Sequence, residues 1–192
     1  MAREHVVVLF VDIRSCTQWM TGVASVDVLE DFLRAFYTVV QDQFPTGACK
    51  PLGDGAMVVV PYATLPHTSA LEVLFQDILS AMALVERRFV ALCREVEIAA
   101  GHTTRLQLGW GVTRGIVHAL PQDYLGMVIN EASRLCHLAR PSGVIIDRED
   151  FPTLPLLAGL PFLLTPAEVQ IRGVRALMPV WISQDVVLGS GE

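Results

Sequence analysis

Two aspartates lie where the sequence predicts the ends of neighbouring strands. Six consecutive apolar residues, Val6 to Val11, are typical of a buried strand, and Asp12 follows them. Asp54 lies in the Gly-Asp-Gly of residues 53–55, which predicts a tight hairpin turn. A capping Asp and an ordinary turn would explain each residue alone. Together, two carboxylates on rigid strands suit a pair of divalent cations about 3.5–4 Å apart, an arrangement used for displacement at phosphorus.

Hydrophobic periodicity predicts the elements that position the aspartates. The first half reads as a strand over 5–11, a helix over 26–44 capped by Ser25, two strands around the Gly-Asp-Gly turn, and a long helix over 69–96. The second half reads as two strands meeting at 113–115, a helix from 127, a short strand over 144–147 and a closing hairpin over 168–183.

This element order predicts the fold class. It reads βαββαβ followed by a βαββ-type extension, which indicates an α+β protein with a ferredoxin-like antiparallel sheet. We expect the helices to pack on one face of that sheet. No repeat, linker or low-complexity segment divides the sequence, so residues 1–192 are predicted to form a single domain.

Composition excludes several classes of partner. The chain has 14 basic and 20 acidic residues and a net charge of −6, which argues against a nucleic-acid surface and a polybasic membrane patch. The mean hydropathy is +0.46, but no run reaches the roughly 18 apolar residues of a membrane span. We attribute the excess to a thick core and an oligomer interface. The N-terminal segment has no signal-peptide pattern, and four cysteines without a CxxC spacing indicate reduced thiols, so a cytoplasmic location is expected.

Three segments in order resemble the class III nucleotidyl cyclases, the catalytic domains of adenylate and guanylate cyclases. They are LFVDIRSCT at 9–17, KPLGDGAMVVV at 50–60 and GMVINEASRLCHLARPSGVIID at 126–147. The resemblance implies that Asp12 and Asp54 bind two Mg²⁺ or Mn²⁺ ions per site, with the carbonyl of Ile13 as a further ligand. It also implies a homodimer with two equivalent sites, in which one subunit contributes the aspartates and the other contributes a base-reading pair, an Asn and an Arg.

The resemblance assigns further residues to a nucleoside triphosphate. Main-chain N–H groups of the turn over 13–17 would hold the triphosphate, and Gly53 lets the backbone approach a bulky anion. Asn130 would orient the ribose, and Arg134, four residues along the same predicted helix, would stabilise the transition state. Arg172 would hold the terminal phosphates. The residues of the turn are Ile13, Arg14, Ser15, Cys16 and Thr17.

Base preference follows from two further matches. Lys50 and Asp123 match the family's base-reading pair, although solvated charges at strand ends would also explain them. Lys donates and Asp accepts, which suits N1 and N6 of adenine and disfavours guanine. Cytosine offers the same order of acceptor and donor as adenine, so hydrogen bonding alone does not reject CTP. The sequence therefore favours ATP as substrate and cyclic AMP as product.

Two departures from the family pattern keep alternatives open. The connection between Arg114 and Asp123 is short and lacks a basic residue often found there, for which Arg114 could substitute. Cys16 stands where the family commonly has an aromatic residue. The alternatives to an adenylate cyclase are a pyrimidine nucleotide cyclase, which would make cyclic CMP or UMP, and a non-catalytic nucleotide-binding or regulatory module.

Overall fold

The first half of the chain forms the predicted ferredoxin-like core. The computed structural model describes residues 2–22, 25–62, 68–100, 105–155, 159–171 and 175–188. The core strands occur in the order β2-β3-β1-β4, and every pair is antiparallel. Its elements are β1 (Ala2–Arg14), α1 (Cys16–Met20), α2 (Val26–Gln43), β2 (Ala48–Leu52), β3 (Gly55–Pro61), α3 (Thr68–Ala100) and β4 (Gln107–Ala119).

Strand β1 is covered on both faces, which explains its uninterrupted apolar sequence. It lies between β3 and β4, and Val6 to Leu9 are each fully buried. Successive side chains point to opposite faces of the sheet. Val7 and Leu9 belong to the cluster that contains α2 and α3, whereas Val6 and Val8 belong to the cluster that contains α4. We call these two sides the core face and the α4 face.

The second half adds strands and one helix beyond β4. These elements are β5 (Tyr124–Leu125), α4 (Met127–Leu138), β6 (Gly143–Asp147), β7 (Leu164–Ile171) and β8 (Arg175–Ser183). The sheet continues in the order β4-β6-β8-β7, and β5 pairs with the end of β4. None of the helices in the described ranges combines the length and apolarity needed to cross a membrane.

Two predicted features of the sheet are wrong, and both involve helix α4. The expectation that all helices share one face holds for α2 and α3 but is wrong for α4, which packs on the opposite face. The sheet is also not wholly antiparallel, because β4 and β6 run parallel. A parallel pair needs a crossover connection, and α4 provides it.

Strands β1 and β4 are both longer than the sequence predicted. Residues 105–120 were predicted to form two strands, but Gln107–Ala119 is a single strand paired along the whole of β1. Gly115, which suggested a turn, instead allows Val128 to approach, since a Cβ there would lie 2.3 Å from the Val128 side chain. Asp12 does not end β1, because the strand continues to Arg14.

Candidate active site

The hairpin between β2 and β3 carries Asp54 to Asp12. Asp12 pairs with Gly55 across β1 and β3, and the N–H of Ile13 donates to the carbonyl of Asp54 at 2.9 Å. A Cβ on Gly55 would lie 2.6 Å from the carbonyl oxygen of Val11, so glycine is required at this close approach. The predicted convergence of Asp12 and Asp54 at one end of the strands is therefore present.

The two aspartates interact electrostatically. Burial raises the pKa of Asp12, the Arg14 guanidinium opposes that rise, and the charge of Asp54 adds to it. A cation between the carboxylates would relieve this repulsion. Within the described ranges no cluster of three or more His, Cys, Asp or Glu side chains forms, so the acidic donors here are these two carboxylates. Carboxylate and carbonyl oxygens are the hard ligands that Mg²⁺ and Mn²⁺ prefer, so the residues fit such ions.

A tyrosine of α2 holds the tip of the hairpin. The Tyr37 hydroxyl donates to the carbonyl of Gly53, whose φ of +70° favours glycine. Burial raises the pKa of Tyr37, and the nearby charge of Asp54 raises it further. Sequence reasoning missed this residue, because a tyrosine within an apolar helical pattern gives no sign that its hydroxyl meets a turn.

The predicted phosphate-binding turn is shorter than expected. Ile13 and Arg14 belong to β1, and Ser15, with a left-handed φ of 62°, makes the turn into α1. Cys16 is buried, and its burial raises the pKa of the thiol to about 12, so the side chain packs as an apolar group. Thr17 is exposed. Contact of this turn with phosphate stays a prediction.

Arg14 points into the protein rather than towards solvent. It is 4% exposed, and Nη1 lies 2.5 Å from Oδ2 of Asp12. Nη2 donates to the carbonyl of Cys136 near the end of α4. The Arg14 guanidinium is therefore occupied by two groups of its own chain, and contact of the Arg14 main chain with triphosphate stays a prediction.

Lys50 and Asp123 form an ion pair although they are 73 residues apart. Lys50 Nζ lies 2.7 Å from Asp123 Oδ2, and the two side chains are 43% and 48% exposed. The hydrogen bond from Lys50 and a second from the N–H of Tyr124 lower the pKa of Asp123. The pair lines a pocket of about 350 Å³ between β2 and the segment that precedes β5. Whether a base enters this pocket stays a prediction.

Strand pairing places the ion pair and Asp12 on the same face of the sheet. Lys50 pairs with Met57, and Met57 pairs with Phe10, so these three side chains share one face. Asp12 lies two residues after Phe10 and points to that same side. Met57 belongs to the cluster that contains α4. Asp12 and the base-reading pair therefore both belong to the α4 face.

Asn130 and Arg134 are on the outer side of α4. Both are exposed, whereas Glu131, Ala132 and Leu135 of the same helix are buried. In the part of the chain that the structure describes, neither Asn130 nor Arg134 makes a hydrogen bond or an ion pair. Both side chains are thus available to a ligand or a second subunit.

Two other arginines do not join this group. Arg114 faces the other way: Nε donates to the carbonyl of Asp150 at 3.1 Å and Nη1 lies 3.2 Å from the Tyr62 hydroxyl. It also packs over Phe151, which belongs to the core face. The expectation that Arg114 could substitute for the family's missing basic residue is therefore wrong. Arg172 lies outside the described residues.

No family model matches this sequence, and no curated protein matches it. Solved structures match this chain over nearly its whole length. The adenylyl cyclase CyaB from P. aeruginosa superposes with a TM-score of 0.70 at 18% identity, over 97% of this chain and 98% of its own. The guanylyl cyclase Cya2 superposes with a TM-score of 0.71 at 18% identity, over 99% of this chain and 96% of its own.

The fold is that of a nucleotidyl cyclase catalytic domain. The guanylate cyclase domain of RhGC from Catenaria anguillulae, solved with GTP, also matches, with a TM-score of 0.63 at 15% identity over 97% of this chain and 100% of its own. Because adenylyl and guanylyl cyclases superpose about equally well, the cyclase fold does not distinguish one base from the other. The distinction depends on the residues of this chain.

Proposed function

We propose that the protein is a nucleotidyl cyclase that converts ATP to 3′,5′-cyclic AMP and pyrophosphate at sites shared between two copies of the chain. The observation that carries the proposal is the convergence of Asp12 and Asp54 beside a sheet face that also bears Lys50, Asp123 and α4. The fold supports it, since adenylyl and guanylyl cyclases match over nearly the whole chain. The reaction is attack of the ribose 3′-oxygen on the α-phosphorus.

Asp12 and Asp54, with the carbonyl of Ile13, would hold two Mg²⁺ or Mn²⁺ ions. When bound, such ions supply Lewis acidity for the 3′-hydroxyl and neutralise phosphate charge. The protein's contribution is rigidity. The Ile13 to Asp54 hydrogen bond holds the hairpin to β1, and the contact of Tyr37 with Gly53 holds it to α2, so the two carboxylates would be preorganised before ligand arrives.

Asn130 and Arg134 would act on the ribose and on the charge that develops during transfer. A guanidinium aimed at the transferring phosphoryl group stabilises the transition state electrostatically. Both side chains are exposed and face away from the buried side of α4. We therefore assign them to the site of a second subunit, whose Asp12 and Asp54 they would complete.

Two exposed apolar residues support the proposed homodimer. Leu125 in β5 is 61% exposed, and Met127, the first residue of α4, is 58% exposed. Neighbouring exposed apolar side chains, flanked by polar groups, are typical of a surface that is covered on association. Covering these two residues would bring a second copy next to Lys50, Asp123 and the N-terminal end of α4.

Lys50 and Asp123 would select adenine. In the free protein each satisfies the other, and because both are about half exposed, their separation costs little. Turned towards a base, the Lys50 ammonium donates to N1 and the Asp123 carboxylate accepts from the N6 amino group. Guanine would place its N1–H donor and O6 acceptor against partners of the wrong kind.

The test is incubation of the pure protein with ATP, GTP, CTP and UTP in separate reactions with Mn²⁺, with products resolved by mass spectrometry. We expect cyclic AMP as the main product. A CTP rate above the ATP rate would overturn the adenylate assignment in favour of a pyrimidine cyclase. No cyclic product from any nucleotide, with binding retained, would favour the non-catalytic module.

A further inference from the structure

Arg14 is a buried cation two residues beyond Asp12, the first proposed metal ligand. Its side chain is 4% exposed, whereas the Asp12 side chain beside it is 33% exposed. A buried guanidinium is tolerated when its charge is paired and its N–H groups have acceptors. Asp12 accepts from Nη1 and the carbonyl of Cys136 accepts from Nη2, whereas Nε has no hydrogen-bond partner among the described residues. Arg14 therefore connects the site to α4 from within the protein.

The two oxygens of Asp12 lie in different surroundings. Oδ2 accepts from Arg14, whose guanidinium lies over Gly109 of β4. Oδ1 lies 3.4 Å from the position that a Cβ of Gly55 would take, so it is on the side of β3. Since Asp54 immediately precedes Gly55, Oδ1 is the oxygen on the Asp54 side, and Oδ2 is the oxygen bound by the buried Arg14.

Gly109 makes room for this arrangement. A Cβ on Gly109 would lie 2.1 Å from Nη2 of Arg14, and 2.2 Å from its Nε, so any larger residue would displace the guanidinium. The Cys136 carbonyl then fixes the far side of the group. With Arg14 locked by β4 and α4, the Asp12 carboxylate loses the rotational freedom that an unpaired aspartate would have.

We propose that Arg14 is a positioning residue that holds Oδ2 of Asp12 and thereby presents Oδ1 to the cation shared with Asp54. This deepens the proposed function and rests on it. Partners of metal ligands that fix the ligand's orientation typically contribute 10–100-fold to metal affinity. The opposite expectation follows from charge alone, because removal of a cation next to a metal site should tighten cation binding. The sign of the effect distinguishes the two.

The experiment measures Mn²⁺ affinity of the nucleotide-free protein from the electron paramagnetic resonance signal of free Mn²⁺. Arg14→Gln should weaken binding about tenfold although it removes a positive charge. Gly109→Ala should weaken it to a similar extent with every charge retained. Arg14→Lys should fall between these and the parent, since an ammonium cannot reproduce the planar fork that reaches both acceptors.

Arg88→Gln is the matched control. Arg88 of α3 forms an exposed ion pair with Asp42 of α2, so its loss should not change Mn²⁺ affinity. Circular dichroism identifies which variants fold, and any folded variant of Arg14 or Gly109 decides the matter. Unchanged or tighter Mn²⁺ binding in such a variant would overturn the role of Arg14. If the parent protein does not bind Mn²⁺, or if Asp54→Asn does not weaken its Mn²⁺ binding, the metal assignment itself is overturned. The proposal for Arg14 then falls with it.

Discussion

The two faces of the sheet differ in which of their ionisable groups reach solvent. On the core face, burial raises the pKa of Glu86 to about 7, and the Glu86 carboxyl accepts a hydrogen bond from Trp110 at 2.8 Å. On the α4 face, Lys50 and Asp123 stay about half exposed, and Asn130 and Arg134 are exposed without partners in the described ranges. The same strands thus support a sealed core on one side and an accessible set of polar groups on the other.

The alternation of β1, β3 and β4 explains how one sheet serves both purposes. Val11 and Trp110 fill the core, while their neighbours Asp12 and Gly109 face the side where α4 packs. A change on the core face should therefore alter stability, and a change on the α4 face should alter chemistry. The predictions below test this separation, beginning with the largest expected effect.

Asp54→Asn should remove most of the cyclase activity, a loss of a hundredfold or more, because a neutral amide is a much poorer ligand for a divalent cation. The fold should be retained, since Asp54 lies in a hairpin tip rather than in the core. Turnover with Mn²⁺ and the thermal unfolding temperature are measured on the same preparation. Asp42→Asn, at an exposed aspartate on α2, is the control. Near-parental turnover in folded Asp54→Asn would refute the metal assignment.

Lys50→Glu combined with Asp123→Ser should lower the ratio of ATP to GTP turnover by about tenfold or more. The new Glu can accept from guanine N1–H, and the Ser hydroxyl can donate to O6. The ratio is the quantity to measure, because total activity can also fall. The same pair of changes at Arg88 and Asp42, Arg88→Glu with Asp42→Ser, is the control. An unchanged ratio would mean that Lys50 and Asp123 do not contact the base.

Glu86→Gln should change stability with pH and leave base preference unchanged. The folded-state pKa of Glu86, about 7, exceeds its ordinary value of 4.5, so the native protein binds the proton more tightly than the unfolded chain. The stabilisation is therefore present at low pH and is lost as the pH rises through 7. At pH 8 the glutamine, which can still accept from Trp110, should stabilise the protein by about 1–2 kcal/mol.

That advantage should shrink at pH 5, where the buried carboxyl of the parent is protonated. Urea unfolding at pH 5 and pH 8 measures both values. Glu30→Gln, at an exposed glutamate paired with Arg34, should show no such dependence. Equal effects of Glu86→Gln at both pH values would contradict the assignment of a raised pKa to burial.

The core of the fold could be predicted from sequence because local patterns agreed with the global arrangement. The apolar run of β1, the Gly-Asp-Gly turn and the amphipathic α2 each predict one element, and a ferredoxin-like order places β1 beside β3. The proximity of Asp12 to Asp54 follows from that adjacency. The family resemblance implied that Lys50 and Asp123 act at one site, but it did not predict the ion pair between them, since no local pattern connects residues so distant in sequence.

The errors come from contacts that no local pattern reports. Thr113 and Gly115 resemble a turn, but pairing with the long β1 keeps β4 extended through them. The partner of Arg14 in α4 lies 122 residues away, so no local pattern indicates that the Arg14 guanidinium is buried. The position of α4 on the opposite face depends on the parallel pairing of β4 with β6.

The central claim is that one chain contributes Asp12 and Asp54 and a second contributes Asn130 and Arg134, and complementation tests it most directly. Asp54→Asn and Arg134→Ala are each expected to be inactive. We change Asp54 rather than Asp12 because loss of Asp12 would leave the buried Arg14 without its charge partner. When the two variants are mixed in equal amounts and allowed to exchange subunits, half of the dimers become heterodimers. Each heterodimer has one intact site of two, so activity should return to about a quarter of the parent. Subunit exchange shown by a tag pull-down, with no recovered activity, would contradict the shared site.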